Sequence, residues 1–273
     1  MLKDFTKEKF DILIQAGQSN CEGYGFGSIE HPYQPNENVW YLNADMTISQ
    51  AAEKVQGNEI QTTFGLYFAE EYLRKGLLKE GRKLLILRAA VGGTGFLEGR
   101  WNMTGDLYLH MMEMIRTALS LNEDNRLVCL LWHQGETDAA QNASYEDHYA
   151  HLSDLISSVR TDFAGKVAPR FALSAAPGSV PDTEAPVLPF LAGDFVHQWR
   201  DENPEICAPV LKAIQDVCRN FTNAYFVETD GLLSNRQELS RDPLDWEDHI
   251  HFSRKACVEL GKRYFDAFLN VRA

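Results

Sequence analysis

The chain has 273 residues, 44% of them hydrophobic, with a net charge of −13 and a pI near 5.1. That length can build one sizeable core, and α/β chains of this size are often a single domain, so residues 1–273 are read as one domain. The acidic balance argues against nucleic acid or an anionic membrane as main partner and suits a soluble protein acting on neutral or weakly charged ligands. Homo-oligomerisation is left open. The five cysteines, Cys21, Cys129, Cys207, Cys218 and Cys257, are odd in number and lack CxxC spacing, which fits reduced thiols better than disulfides or a zinc site. Residues 1–9 alternate charge and carry no apolar segment of a secretory signal, so a cytoplasmic location is expected. No apolar run approaches the roughly 20 residues that span a bilayer.

In chain order, the apolar run Ile12 to Ala16 predicts a first strand at 11–16, ended by Gly17. Residues 21–62 have weak periodicity and predict a long irregular insertion above a sheet. Its aromatics Tyr24, Phe26, Tyr33, Trp40 and Tyr41 either shape a pocket or, the preferred reading, pack the loop down. A helix is predicted at 63–75, a second strand at 83–90, a helix at 106–121 and a third, wholly apolar strand at 126–132. A helix at 145–163, a fourth strand at 170–175, helices near 193–202 and 205–221 and a fifth strand at 224–228 follow. Pro177, Pro181, Pro186 and Pro189 exclude a helix across 177–192. Ser253 caps the last helix. Alternating strands and helices predict a three-layer α/β/α fold around a five-stranded parallel sheet.

The chemistry-bearing residues fall where such strands end. Gln18, Ser19 and Asn20 follow the first strand, and ligands of open α/β sheets bind at the carboxyl ends of strands. Ser19 is therefore a candidate nucleophile, although a polar loop capping a helix would look the same. A serine needs a base, and the base needs an orienting group. Asp248 and His251, three apart before the last helix, supply both. The neighbouring Asp245 and His249 form a second pairing that spacing alone leaves open. Cys21 is a rival nucleophile, more readily read as a small buried residue. An oxyanion needs preorganised donors. The candidates are the Ser19 N–H, an N–H within Gly92-Gly93, with Gly93 preferred, and the Gln134 side-chain amide. Glu136, Asp138 and Asn20 are expected to brace these loops, Asp138 alternatively capping a helix. His148 and His151, three apart on a helix, are read as ordinary partly buried histidines. The chemistry calls for no metal or cofactor. Gly93-Thr94-Gly95 misses a dinucleotide fingerprint, because the next glycine is Gly99.

Four blocks occur in order: Gly17-Gln18-Ser19-Asn20, Val91-Gly92-Gly93-Thr94, Trp132-His133-Gln134-Gly135-Glu136, and Asp248 to Phe252. Together they resemble the SGNH hydrolase superfamily, in the branch holding sialate O-acetylesterases and family-six carbohydrate esterases (acetylxylan esterases). The resemblance implies a flavodoxin-like fold with strand order 2-1-3-4-5. It also implies a serine esterase with Ser19, Asp248 and His251 as triad. The match to Asp-x-x-His-Phe selects His251 over His249. An acetylated sugar, xylo-oligosaccharide or sialate, is the implied substrate; another short acyl ester or thioester, or silent sugar binding, is the alternative. The sequence departs from the family at Cys21-Glu22, where a methionine and a small residue are more usual.

Overall fold

The computed structural model describes residues 4–169, 186–238 and 247–272. In chain order its elements begin with β1 (Lys9–Gly17), α1 (Ser19–Glu22), β2 (Gly25–Ser28), β3 (Val39–Leu42), β4 (Ile48–Gln50), β5 (Lys54–Gln56), β6 (Glu59–Thr62) and α2 (Phe64–Arg74). Then come β7 (Arg82–Arg88), α3 (Asp106–Ser120), β8 (Arg126–His133), α4 (Glu136–Ala140) and α5 (Tyr145–Asp162). β9 (Phe190–Gly193), α6 (His197–Glu202), α7 (Pro204–Asn220), β10 (Ala224–Val227) and α8 (Arg254–Arg272) complete the chain.

β1 is the middle of the sheet because both its faces are apolar. Phe10, Ile12, Ile14 and Ala16 point to one side, where Met111 and Ile115 of α3, Leu152 and Leu155 of α5 and Val210 and Ile214 of α7 bury them. Leu13 points to the other, under Phe64, Phe68 and Tyr72 of α2 and Leu260, Tyr264 and Phe268 of α8. A strand buried on both faces needs helices on both, and the result is three layers. The sheet order is β10-β9-β8-β1-β7-β3-β4, parallel except for the antiparallel edge strand β4. β2, β6 and β5 form a separate antiparallel sheet.

The predicted order 2-1-3 survives as β7-β1-β8, with the predicted fifth strand, β10, at the edge, but three expectations are corrected. The main sheet has seven strands rather than five, and residues 21–62 hold five short strands rather than an irregular insertion. These strands are three or four residues long, too short to show a period of two before the next turn. The predicted strand at 170–175 lies outside the described residues. β9 occupies the place beside β8, so 193 ends a strand instead of starting a helix. β9 is only four residues long and follows directly on Pro189, and that prolines-before-strand pattern hid it. Ser253 does cap α8, its Oγ accepting the Ala256 N–H at 3.2 Å.

At the amino end of β1 the sheet is pinned by charge. Asp11 is fully buried and takes Arg82 Nε at 2.7 Å, Arg126 Nε at 2.6 Å and the Tyr72 hydroxyl at 2.9 Å. β1, β7, β8 and α2 are thus tied at one carboxylate. Removing one partner of a buried ion pair leaves the others uncompensated. Asp11→Asn is expected to lower unfolding free energy by about 3–5 kcal/mol in urea titration. A loss under about 1 kcal/mol, the range of a surface pair, would refute this role.

Candidate active site

The site sits on the carboxyl side of β1, β7 and β8. β1 ends at Gly17, whose φ is +138° and whose Cα faces the His133 carbonyl so closely that a Cβ would come within 2.1 Å of that oxygen. Only glycine fits there. Gln18 N–H then donates to the same carbonyl at 2.9 Å, and the chain enters the single turn α1, which closes at Gly23 in the left-handed region. Ser19 is the first residue of that turn.

The loop before α8 comes back over this turn. Ser19 Oγ lies 2.8 Å from His251 Nε2. His251 Nδ1 lies 2.9 Å from Asp248 Oδ1, which also accepts the His251 backbone N–H at 3.1 Å. Asn235 Nδ2 donates to the other carboxylate oxygen, Oδ2, at 2.7 Å. Burial alone would raise the Asp248 pKa, but hydrogen bonds from His251 and Asn235 and the His251 charge outweigh it and hold the carboxyl below its usual range. The Tyr24 ring stacks on His251, centroids 4.9 Å apart at 26°.

Asn20 fixes the register of the two segments. Its Nδ2 donates to the Ile250 carbonyl at 2.9 Å and to Glu136 Oε1 at 2.7 Å, and its Oδ1 accepts the Phe252 N–H at 3.0 Å. The residues on either side of His251 are therefore held by the neighbour of Ser19. Glu136 is fully buried, and burial pushes its pKa up. Asp138 clasps the loop after β7, accepting from Phe96 N–H at 3.1 Å, Leu97 N–H at 3.0 Å and Gln134 Nε2 at 2.8 Å. It does not cap a helix. His148 lies buried against it, Nδ1 3.3 Å from Oδ2, and His151 stacks on Phe96.

The donors for an oxyanion are less uniform. Gly92 sits beside Ser19, but its N–H donates to Glu22 Oε2 at 2.7 Å. Gly93 has φ +67° and open space where a Cβ would stand. The Gln134 amide is buried, with one short bond to Asp138 and contacts of 3.4 Å to Thr94 O and 3.5 Å to Gln18 Oε1. The rival readings fall away. Cys21 is fully buried, and burial pushes its thiol well up, so it stays protonated. His249 Nδ1 pairs with Glu202 Oε2, and Asp245 lies outside the described residues. Phe26 and Tyr41 pack into the interior, as preferred, whereas Tyr24 faces the site. Asn235 and Glu22 enter the site without having been singled out for it; no motif marks an asparagine 13 residues before its partner.

A family model for carbohydrate esterases, sialic acid-specific acetylesterases, matches residues 9–176. The chain belongs to this family. A probable carbohydrate esterase of Arabidopsis thaliana is 25% identical over 277 residues, covering 95% of this chain and 90% of the relative. Among solved structures, NanS superposes with a TM-score of 0.76 at 18% identity, covering 97% and 98% of the two chains. An Arabidopsis thaliana protein gives 0.68 at 20% identity, covering 96% and 99%. A carbohydrate acetylesterase from Xanthomonas citri gives 0.55 at 14%, covering 96% of this chain and 56% of that one. As a member of the sialic acid-specific acetylesterase family, the chain is a carboxylic ester hydrolase acting on O-acetylated carbohydrate. No helix among the described residues is long and apolar enough to cross a membrane.

Beneath the site, His133 is buried with Nδ1 3.0 Å from the Tyr264 hydroxyl, and burial lowers its pKa to about 3. The unfolded chain takes up that proton below about pH 6.5. Between these values acid favours the unfolded state, by about 1.4 kcal/mol per pH unit from this group. The stability difference between pH 7 and pH 5 should therefore shrink by about 2 kcal/mol in His133→Gln, measured by urea titration. Equal pH dependence in both proteins would show that His133 is not held neutral.

Proposed function

We propose that this protein removes acetyl groups from sugar hydroxyls through a covalent acetyl-serine. The observation that carries the reading is the chain of contacts Ser19 Oγ to His251 Nε2 (2.8 Å) and Nδ1 to Asp248 (2.9 Å) on the carboxyl side of the sheet. His251 takes the Ser19 proton as Oγ attacks the acetyl carbonyl. Asp248, oriented by Asn235, keeps the imidazole in the tautomer with Nδ1–H and steadies the imidazolium that forms. His251 then protonates the departing sugar oxygen. In the second half-reaction it deprotonates water, which attacks the acetyl carbonyl and releases acetate and Ser19.

The oxyanion is assigned to the backbone N–H of Ser19, the backbone N–H of Gly93 and the Gln134 amide. Glu22 occupies the Gly92 N–H, which favours Gly93. One Gln134 hydrogen is committed to Asp138; the other has only the long contacts at 3.4 and 3.5 Å and is the one free to turn to the oxyanion. Asn20, Glu136 and Asp138 hold the loops. The family match favours a sialate-type sugar over xylo-oligosaccharide. The protein is read as cytoplasmic, which makes a short imported glycan a better substrate than a polymer.

Ser19→Ala should cut hydrolysis of p-nitrophenyl acetate by about 10³-fold or more, and Asp248→Asn by about 10³- to 10⁴-fold. Rapid quenching of the wild type on substrate should give protein heavier by one acetyl group on the peptide carrying Ser19. Ser19→Ala with undiminished activity would sink the covalent mechanism.

A further inference from the structure

The His251 imidazole has two polar edges and two faces. One edge, at Nε2, meets Ser19 Oγ at 2.8 Å, and the other, at Nδ1, meets Asp248 at 2.9 Å. Proton transfer from Ser19 uses both edges and neither face. One face is covered by the ring of Tyr24, the centroids 4.9 Å apart and the planes 26° from parallel.

The backbone of Tyr24 is fastened on both sides. Before it, the Gly23 N–H donates to the Ser19 carbonyl at 2.9 Å and closes the serine turn. After it, Gly25 opens β2 so close to α8 that a Cβ there would lie 2.5 Å from Cys257 Sγ. The Tyr24 carbonyl accepts Asn235 Nδ2 at 2.8 Å, and the same Nδ2 donates to Asp248 Oδ2 at 2.7 Å. One asparagine thus fixes the tyrosine relative to the carboxylate that holds the imidazole. The far end of the ring reaches towards the nucleophile: a Cβ on Gly92 would lie 3.7 Å from the Tyr24 hydroxyl and 3.4 Å from Ser19 Cβ.

The face of an aromatic ring is negative, because its π density lies above and below the plane. A cation within about 6 Å of the centroid is drawn to that face. His251 is neutral while it waits for the Ser19 proton and positive once it has taken it. The attraction therefore appears as the tetrahedral state forms and vanishes when the proton passes to the leaving oxygen. An interaction stronger in the transition state than in the ground state raises kcat.

Resting on the deacetylation reading above, we propose that Tyr24 is a positioning residue of the reaction, its ring face keeping the His251 imidazole turned to Ser19 and Asp248 and stabilising the imidazolium of each half-reaction. Asp248 steadies the same charge from the edge, and Tyr24 steadies it from the face.

The test varies the π density at position 24 while keeping the shape of the ring. On p-nitrophenyl acetate, Tyr24→Leu should lose kcat by about 5- to 30-fold with KM little changed, and Tyr24→Phe should recover most of that loss. Mono-, di- and trifluorinated phenylalanine at position 24 draw π density out of the ring face with little change in volume, so kcat should fall stepwise along that series. A side chain that only filled space would give a flat series. The fluorinated series carries the test by itself if Tyr24→Leu does not fold. A flat series, or wild-type kcat in Tyr24→Leu, overturns the role of Tyr24 while the esterase reading stands. Wild-type protein inert towards p-nitrophenyl acetate overturns the esterase reading, and this role with it.

Discussion

The carboxamide of Asn20 is the interaction on which the site depends. Ser19 and His251 are 232 residues apart, one at the end of the first strand and one before the last helix. Asn20 spends both amide hydrogens and its oxygen on Ile250, Glu136 and Phe252, and it is 2% exposed. Glu136 and Phe252 are buried, and Ile250 is half-buried. A buried donor or acceptor left unpaired costs about 1–3 kcal/mol, so the two segments meet in one register or lose several such bonds together. Alignment of Ser19 with His251 is thereby enforced by desolvation as well as by the 2.8 Å Ser–His contact itself.

The same device recurs at the other loops of the site. Gln18 Oε1 accepts the Thr137 N–H at 3.1 Å and so joins the turn after β1 to the helix α4 after β8. Asp138, in the short helix α4 that follows β8, accepts two backbone N–H groups of the loop after β7. Thr94 Oγ1 donates to Val91 O and accepts from Trp101 Nε1, which closes that loop on itself. Asn235 ties Asp248 to the Tyr24 carbonyl and the Phe26 N–H. Each loop is irregular alone, yet each is held by a buried polar side chain from another. Precision of this kind has to come from supporting hydrogen bonds, because loops lack the backbone ladders that fix strands.

That division explains what the sequence discloses and what it hides. β1, β7 and β8 are legible because they are apolar on both faces and seven to nine residues long. Helices α2, α3, α5 and α7 are legible to within about a residue, because their stripes repeat over three or more turns. β2 to β6 are not, since their strands end before alternation accumulates. Ser19, Asp248 and His251, which the fold brings into contact, are readable as candidates from residue type, but the block match and not the spacing separates His251 from His249. The sequence reads Asn20 as a loop brace, but only the fold names the partners it braces, Ile250, Glu136 and Phe252. Asn235 was not legible as a site residue, and Tyr24 only as one of five aromatics that could shape a pocket, since an asparagine or a tyrosine in a loop has many uses and only the fold selects one. Gln134 shows the converse: the residue type suggested an oxyanion donor, while its strongest bond is to Asp138.

Along β1 the molecule separates stability from chemistry. At the amino end Asp11 is saturated by two arginines and a tyrosine. At the carboxyl end, among the described residues, Gln134 Oε1, Glu136 Oε2 and His133 Nε2 are buried with no hydrogen-bond partner. Such atoms carry a desolvation cost that a fold selected only for stability would relieve by apolar replacement. They cluster instead directly beneath the serine turn, within one strand end and the loop that follows it. The four apolar residues Ile12, Leu13, Ile14 and Ala16, with Gln15 among them, transmit no charge between the two ends; they hold them a fixed distance apart. A rigid, over-bonded base can therefore tolerate a polar, under-bonded top; the Gln134 and Glu136 oxygens there are acceptors, so negative charge on a substrate oxygen would have to be met by N–H donors instead.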